Sequence, residues 1–355
     1  VIEALDSHPN PALAQRRSDP IIGRCVRVNP GTRSPAGAGS RDPGCWRIER
    51  GARERSSTSM IPLSVAPEDS PMKTLVLANQ KGGVGKSAVA TLLAHLYRQR
   101  GLRVLAIDLD HQGNFSEPVR KSQRAARAEV PASGVLVQSN PVIPSADFVL
   151  VAADPELSGL ERQPALHNTF ANQFRVFLAA MDSRFDVCIV DTNPNPDIRM
   201  TTALASADCV LSPIQLNQEA MDGVSALLNH PKVGVRRIQA VLNPKLHLIG
   251  LYPTMVEATP LQRENFMQLL QKYSPILIPI GSRPGEIASM PRRSAIAEAQ
   301  AEGFVLWEMK KTAARDAWRE IEPGLTFIAN AVLSPNPRSA VTHPLNGASH
   351  GPVAR

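Results

Sequence analysis

Short, almost continuously apolar runs recur through the middle of the chain: Thr74 to Ala78, Arg103 to Asp108, Phe148 to Ala153, Val187 to Asp191, Cys209 to Ile214, Leu248 to Tyr252 and Ile276 to Ile280. Runs of this kind, without polar alternation, are expected of strands buried on both faces. Between them the period lengthens. Val89, Leu92, Leu93 and Leu96 stand at i, i+3, i+4 and i+7 in the stretch Ala88 to Gln99, which predicts a helix with one buried face, and Gly101 supplies its stop. Gln173 to Met181 reads as a second helix. Arg120 to Ala128 reads as a third, basic one, with Arg120, Lys121, Arg124 and Arg127 facing no nearby acid. Ser289 to Gly303 and Trp307 to Ala331 read as closing helices. Strand and helix in alternation predict an α/β fold: a mostly parallel twisted sheet with helices on both faces.

The two ends differ from this texture. Residues 1–71 mix Pro, Arg, Gly and Ser with scattered apolar positions and no sustained period, and are expected to be a disordered extension. The spacing of their prolines argues against a helix-turn-helix. Met60 and Met72 both precede the first strand, so a shorter product starting at Met72 is an alternative. The expected folded domain is 72–333, and 334–355, rich in Pro and Gly, is expected to be a flexible tail.

Composition narrows the classes. With 355 residues and 43% hydrophobic content the chain can bury a sizeable core. A formal charge of +7 favours an acidic partner such as nucleic acid. Cys25, Cys45, Cys188 and Cys209 form no zinc-ligand spacing, and the last two sit in apolar runs, consistent with a reducing cytosol. No apolar run is long enough to span a bilayer.

The stretch from Ala78 to Ser87, ANQKGGVGKS, joins the first strand to the first helix. Gly82, Gly83 and Gly85 would let the backbone curl with its N–H groups inward, so that a polyphosphate sits in the nest at the positive end of the helix. Lys86 would reach the β- and γ-phosphates and the Ser87 hydroxyl would hold Mg²⁺. Acidic residues follow at other strand ends, where an open α/β sheet places its ligand: Asp108 and Asp110 in DLDHQGN, and Asp191 at the close of VCIVD. An aspartate there would hold the Mg²⁺ shell, and Asp110 is the candidate for orienting the attacking water.

The loop has Gln80 where the general P-loop pattern has Gly, and it carries a second lysine, Lys81. It resembles the deviant Walker A loop of the ParA/MinD ATPases, on the ParA partition branch. DLDHQGN resembles that family's switch I, with His111 at the usual proline, and Asp191 with TNP resembles Walker B and switch II. The opening MKTLVLANQKGGVGKS and the tract LRVLAIDLDHQGN resemble most the IncC-type partition ATPases of IncP-like plasmids. The resemblance makes 72–333 a ParA-type P-loop ATPase domain and implies a weak, partner-stimulated ATPase using ATP and Mg²⁺. Its catalytic residues would be Lys81, Lys86, Asp110 and Asp191. The loop positions Gly82, Gly83, Val84, Gly85, Lys86, Ser87 and Ala88 would hold the nucleotide. Thr254, Met255 and Pro279 would lie near the base, and Ser87, Asp108 and Asp191 near the metal. Lys81 would cross a two-fold interface to the partner's nucleotide, making an ATP-dependent sandwich homodimer.

The same resemblance implies non-specific binding of double-stranded DNA by the dimer, through Arg292 and Arg293. Lys245, Arg236 and Arg237 join them because 223–256 contains basic but no acidic residues. A ParB-type centromere-binding partner, no membrane, and a cytoplasmic, nucleoid-associated location in bacteria complete the expectation. A MinD-like membrane-cycling regulator would need a basic amphipathic C-terminal helix, where this chain has prolines and glycines. A nitrogenase-reductase-like electron carrier would need cluster-binding cysteines, and a nucleotide-gated corepressor an added DNA module.

Overall fold

The computed structural model of the protein describes residues 70–217, 219–280 and 286–334. The expected disordered extension and the tail therefore lie almost wholly outside the described residues. Among the described residues the first in the core is Met72, whose backbone N–H donates to Asp182 Oδ1 at 2.8 Å.

Strand β1 (Lys73–Leu77) runs into α1 (Lys86–Gln99), then β2 (Val104–Asp108), α2 (Ser116–Lys121), β3 (Ala126–Arg127), α3 (Gly134–Val137) and β4 (Phe148–Val151). Two 3₁₀ segments lead to α4 (His167–Met181), followed by β5 (Val187–Asp191), α5 (Ile198–Ser206), β6 (Cys209–Gln215), α6 (Ala220–Asn229) and α7 (Val235–Val241). The chain closes with β7 (His247–Val256), α8 (Pro260–Tyr273), β8 (Met290–Pro291), α9 (Ser294–Glu302) and α10 (Thr312–Leu333).

All strand pairings are parallel, in the order β3-β4-β2-β5-β1-β6-β7-β8. Side chains alternate across each strand, so the sheet feeds two cores. Val76, Ile107, Val151, Cys188 and Val190 face the helices α4 and α5, with Phe174 and Leu204 filling the space between. Leu75, Leu77, Ala106, Ile189 and Cys209 face the opposite layer, where α1 and α10 supply Leu93, Leu96, Ile321 and Leu325. Cys188 and Cys209 thus lie on opposite faces of the sheet. Burial raises both thiols, Cys209 to about 12, so they act as small core hydrophobes and not as ligands.

Strand β5 is inserted between β1 and β2. Its register sets Asp191 beside Leu77 on one side and Asp108 on the other. Three strand ends are thereby brought to one point at the carboxyl edge of the sheet.

Three sequence expectations change. The basic stretch from Arg120 is not one helix: α2 stops at Lys121, Gln123 takes a left-handed φ of 56°, and Ala126–Arg127 becomes an edge strand on β4. Its cations do meet acids, because Arg120 and Lys121 pair with Glu117 and Arg124 pairs with Glu308. The run Ile276 to Ile280 makes only isolated bridges, Leu251 to Leu277 and Pro279 to Ile287. Pro279 removes a donor from within the run, which a regular ladder would need. The closing helices begin later than expected, at Ser294 and Thr312, with Trp307 on a 3₁₀ turn and Gly303 ending α9 at φ 72°.

Candidate functional site

The loop between β1 and α1 is shaped by two of its three glycines. Gly83 (φ 71°) and Gly85 (φ 81°) adopt the left-handed conformation. Gly82 does not, and a Cβ there would meet only Pro194 at 3.9 Å. At Gly85 a Cβ would make ordinary contacts, 3.4 Å from Met290 and 3.6 Å from Thr254, so it is the left-handed backbone that calls for glycine there. Gly85 is the N-cap of α1. The first backbone N–H groups of Lys86, Ser87 and Ala88 therefore open the helix without intrahelical acceptors. Together they form the anion-receiving end that the sequence predicts.

Neighbouring strands hold this loop with contacts that no local pattern announces. Asn79 Nδ2 donates to Ser212 Oγ and to the Pro213 carbonyl, while its Oδ1 accepts from Lys81 N at 2.8 Å. Gln80 Nε2 donates to Ala226 O on α6, and Gln215 Nε2 donates to Gly83 O at 2.8 Å. Thr254, fully buried, donates to Val84 O at 2.7 Å. Thr192 Oγ1 donates to Leu77 O at the end of β1. Sequence reasoning misses Asn79, Thr192, Ser212 and Gln215; a polar residue in or at the end of an apolar run is the only signal they carry.

Lys86 is 6% exposed, and among the described residues its Nζ has only two long carbonyl contacts, 3.4 Å to Asn79 and 3.5 Å to Lys81. Burial lowers its pKa, with Asp191 and Asp110 pulling the other way. An ammonium with three donors so weakly engaged is suited to an anion. Opposite it, Ser87 Oγ donates to Asp191 Oδ2 at 2.5 Å, while Asp191 Oδ1 is buried with no hydrogen-bond partner among the described residues. Burial first, then repulsion by Asp108, raises the Asp191 carboxyl well above the usual range, and Asp110 adds to it. Crowded carboxylates with an orphaned buried oxygen beside a hydroxyl suit a hard cation.

Asp108 is engaged differently. Its Oδ2 accepts from Phe115 N, Ser116 N and Ser116 Oγ, and its Oδ1 accepts from Asp110 N at 3.1 Å. Burial nevertheless pushes it up to about 6. These bonds close the loop 108–116 on itself. Asp110, 7% exposed, accepts from Gln112 N.

The remaining sequence candidates divide. Lys81 pairs within its own chain with Glu219, at an exposed rim. Thr254 and Met255 come together beside the loop: Met255 has φ 52° and its Sδ is 2.9 Å from Gln215 Nε2. Pro279 bridges to Ile287. Of the basic set, Arg236 and Arg237 lie on α7 and Lys245 just before β7, near the amino edge of the sheet. Arg292 donates its backbone N–H to Val256 O at the far end of β7. A ten-residue strand separates the two groups by about 30 Å. Arg292 lies 3.8 Å from Glu257, and Arg293 is held against Glu320.

A family model described as an AAA domain matches residues 72–248. Protein IncC of Escherichia coli is 34% identical over 313 residues, covering 82% of this chain and 76% of the relative. The chain belongs to the ParA family of partition ATPases, on its IncC-like branch. The chromosome-partitioning ATPase Soj of Thermus thermophilus is 35% identical, with 54% of this chain and 72% of that one covered. Cobyrinic acid a,c-diamide synthase from Mycobacterium smegmatis, solved with bound ATP analog and magnesium, matches with TM-score 0.54 and 25% identity over 74% of this chain and 94% of that one. Family membership accounts for the P-loop architecture, and among the described residues no helix is long and apolar enough to cross a membrane.

Proposed function

We propose that this ParA-family chain hydrolyses ATP to ADP and phosphate as the switch of a DNA-segregation cycle. The observation that carries the reading is the buried, under-engaged Lys86 ammonium facing Ser87 and Asp191 at the mouth of the glycine loop. Phosphoryl transfer to water needs positioning and charge neutralisation more than covalent help. The amides at the start of α1 and Lys86 bind the phosphates. Ser87 and Asp191 are the residues that would hold Mg²⁺, whose chemistry is to neutralise charge on the phosphate oxygens; Asp108, with its oxygens committed to loop donors, serves chiefly to shape switch I. Asp110 orients the attacking water.

Lys81 is the residue through which ATP would join two protomers. Its pairing with Glu219 is between exposed groups, so exchanging that carboxylate for a partner's phosphate costs little. The ATP-bound dimer then binds double-stranded DNA without sequence preference, and a ParB-type protein stimulates hydrolysis and release. The two basic groups at opposite ends of β7 are separate candidates for the DNA contact. Nucleoid association in the cytoplasm follows from such a cycle. The likeness to IncC and Soj supports the whole reading.

The test is DNA binding with ATP, ADP or no nucleotide, for the parent and for Lys81→Ala. Binding confined to the parent with ATP is expected. Equal binding in all arms would remove the switch while leaving the fold and the ATP site in place.

A further inference from the structure

Beside Asp110 lies a polar chain that the proposed ATPase site has not used. It starts in the segment after β5. Asn193 Nδ2 donates to Asp197 Oδ2 at 2.8 Å, and Arg199 clasps the same oxygen through Nε at 3.0 Å and Nη2 at 2.5 Å. Arg199 and Asp197 are 4% and 8% exposed, and Asp197 also caps α5 by accepting from Arg199 N and Met200 N. The arginine's remaining arm, Nη1, leaves the pair and reaches His111 Nδ1 at 3.2 Å. His111 Nδ1 is in turn 3.5 Å from Asp110 Oδ1. One imidazole nitrogen thus sits between the carboxylate assigned to the attacking water and a guanidinium anchored in the opposite switch.

The chemistry of these groups defines how the junction works. A guanidinium only donates, so Nδ1 facing Nη1 must carry its lone pair, and the ring proton sits on Nε2. Gln112, whose amide is 2.8 Å from Nε2, then presents its oxygen to that proton. In this tautomer Nδ1 serves Arg199 and gives Asp110 no donor. In the other tautomer Nδ1–H would serve Asp110 and must leave Arg199. The nitrogen can satisfy one neighbour at a time. The buried Asp197–Arg199 pair explains why the choice has consequences: it fixes Arg199 to the segment 193–199, so a movement of that segment is felt at Nδ1. Asn193 Oδ1, buried with no hydrogen-bond partner among the described residues, leaves the same segment with an acceptor to satisfy. A proline at position 111, which the family resemblance leads one to expect, would have no such nitrogen.

We propose that His111 and Arg199 are positioning residues that couple the segment 193–199 to Asp110, so that the orientation of this carboxylate, and with it hydrolysis, follows the state of the segment after Asp191. This rests on the reading of Asp110 as the water-orienting group.

The experiment uses the full chain and compares His111→Leu, His111→Asn, Arg199→Lys and the double variant His111→Leu/Arg199→Lys in steady-state ATP hydrolysis. Binding of a fluorescent ATP analogue and thermal unfolding are measured in parallel. His111→Leu is expected to lower kcat about tenfold with KM and analogue affinity within about twofold of the parent, as displaced positioning does. Asn presents an oxygen where Nδ1 stands, so His111→Asn should recover kcat to within about threefold of the parent. The double variant should be no slower than the slower single variant, because both break one junction. Since His111 is partly exposed, its variants report even where Arg199→Lys fails to fold. An unchanged kcat in His111→Leu, a change confined to KM, or multiplying losses in the double variant would each overturn the coupling while leaving the ATPase reading intact. A parent that binds no ATP would instead overturn that reading, and the coupling with it.

Discussion

The two ends of β7 face opposite physical situations. At its carboxyl end, around the glycine loop, buried groups answer to specific partners, Asp191 to Ser87, Arg199 to Asp197 and Asp108 to the amides of its own loop, while the buried Lys86 is only loosely held. At its amino end, Arg236 reaches Asn229, a neutral amide, and Lys245 stands in an exposed turn. In the first region the dielectric is low and each group's partner decides its energy. In the second, water and salt screen each charge, and only the sum matters. Single residues should therefore dominate one end and none should dominate the other.

The sharpest check is Lys86→Ala. Removing the buried ammonium should weaken nucleotide binding by about a hundredfold or more, read by calorimetric titration, with the fold retained by circular dichroism. A loss of only a few-fold would mean that the buried end behaves like a surface. Next is Asp197→Ala, which strands Arg199 in a site 4% exposed and removes the cap of α5. Urea unfolding should show a destabilisation of about 3 kcal/mol, the cost of leaving one partner of a buried pair uncompensated. A change below about 1 kcal/mol would place this pair with the surface pairs.

The smallest effects belong to the basic groups. Replacing Arg236, Arg237 or Lys245 singly by Ala should weaken ATP-dependent DNA binding less than about threefold, and replacing all three should lower the salt slope by about 0.9 for each phosphate no longer neutralised. The same measurement on Arg292→Ala separates the two ends of β7. If it alone abolishes binding, the collective picture of the basic surface is wrong, and the carboxyl end holds the DNA site as well.

Much of this molecule is legible in its residues alone. The apolar runs at β1, β2, β4, β5, β6 and β7 mark strands because nothing but burial on both faces suits them. The loop is legible because Gly83 and Gly85 write a backbone conformation directly into the residue type. The stretch after Arg120 misleads, since its charges look unpaired when Glu117 and Glu308 both answer them. Glu308 lies far along the chain, and no local pattern announces it. Likewise the proline-bearing run at 276–280 has the composition of a strand without the donors of one.

Local chemistry, then, set the α/β class, the curl of the phosphate loop and the helix that follows it, because these depend on residues a few positions apart. Folding in three dimensions decided the rest. It slid β5 between β1 and β2 so that Asp191 meets Ser87, turned Thr254 under the loop, divided the basic residues between two ends of one strand, and brought Arg199 to His111. Each of those meetings joins segments distant in the chain, and their energy comes from desolvation and geometry that exist only once the sheet has formed.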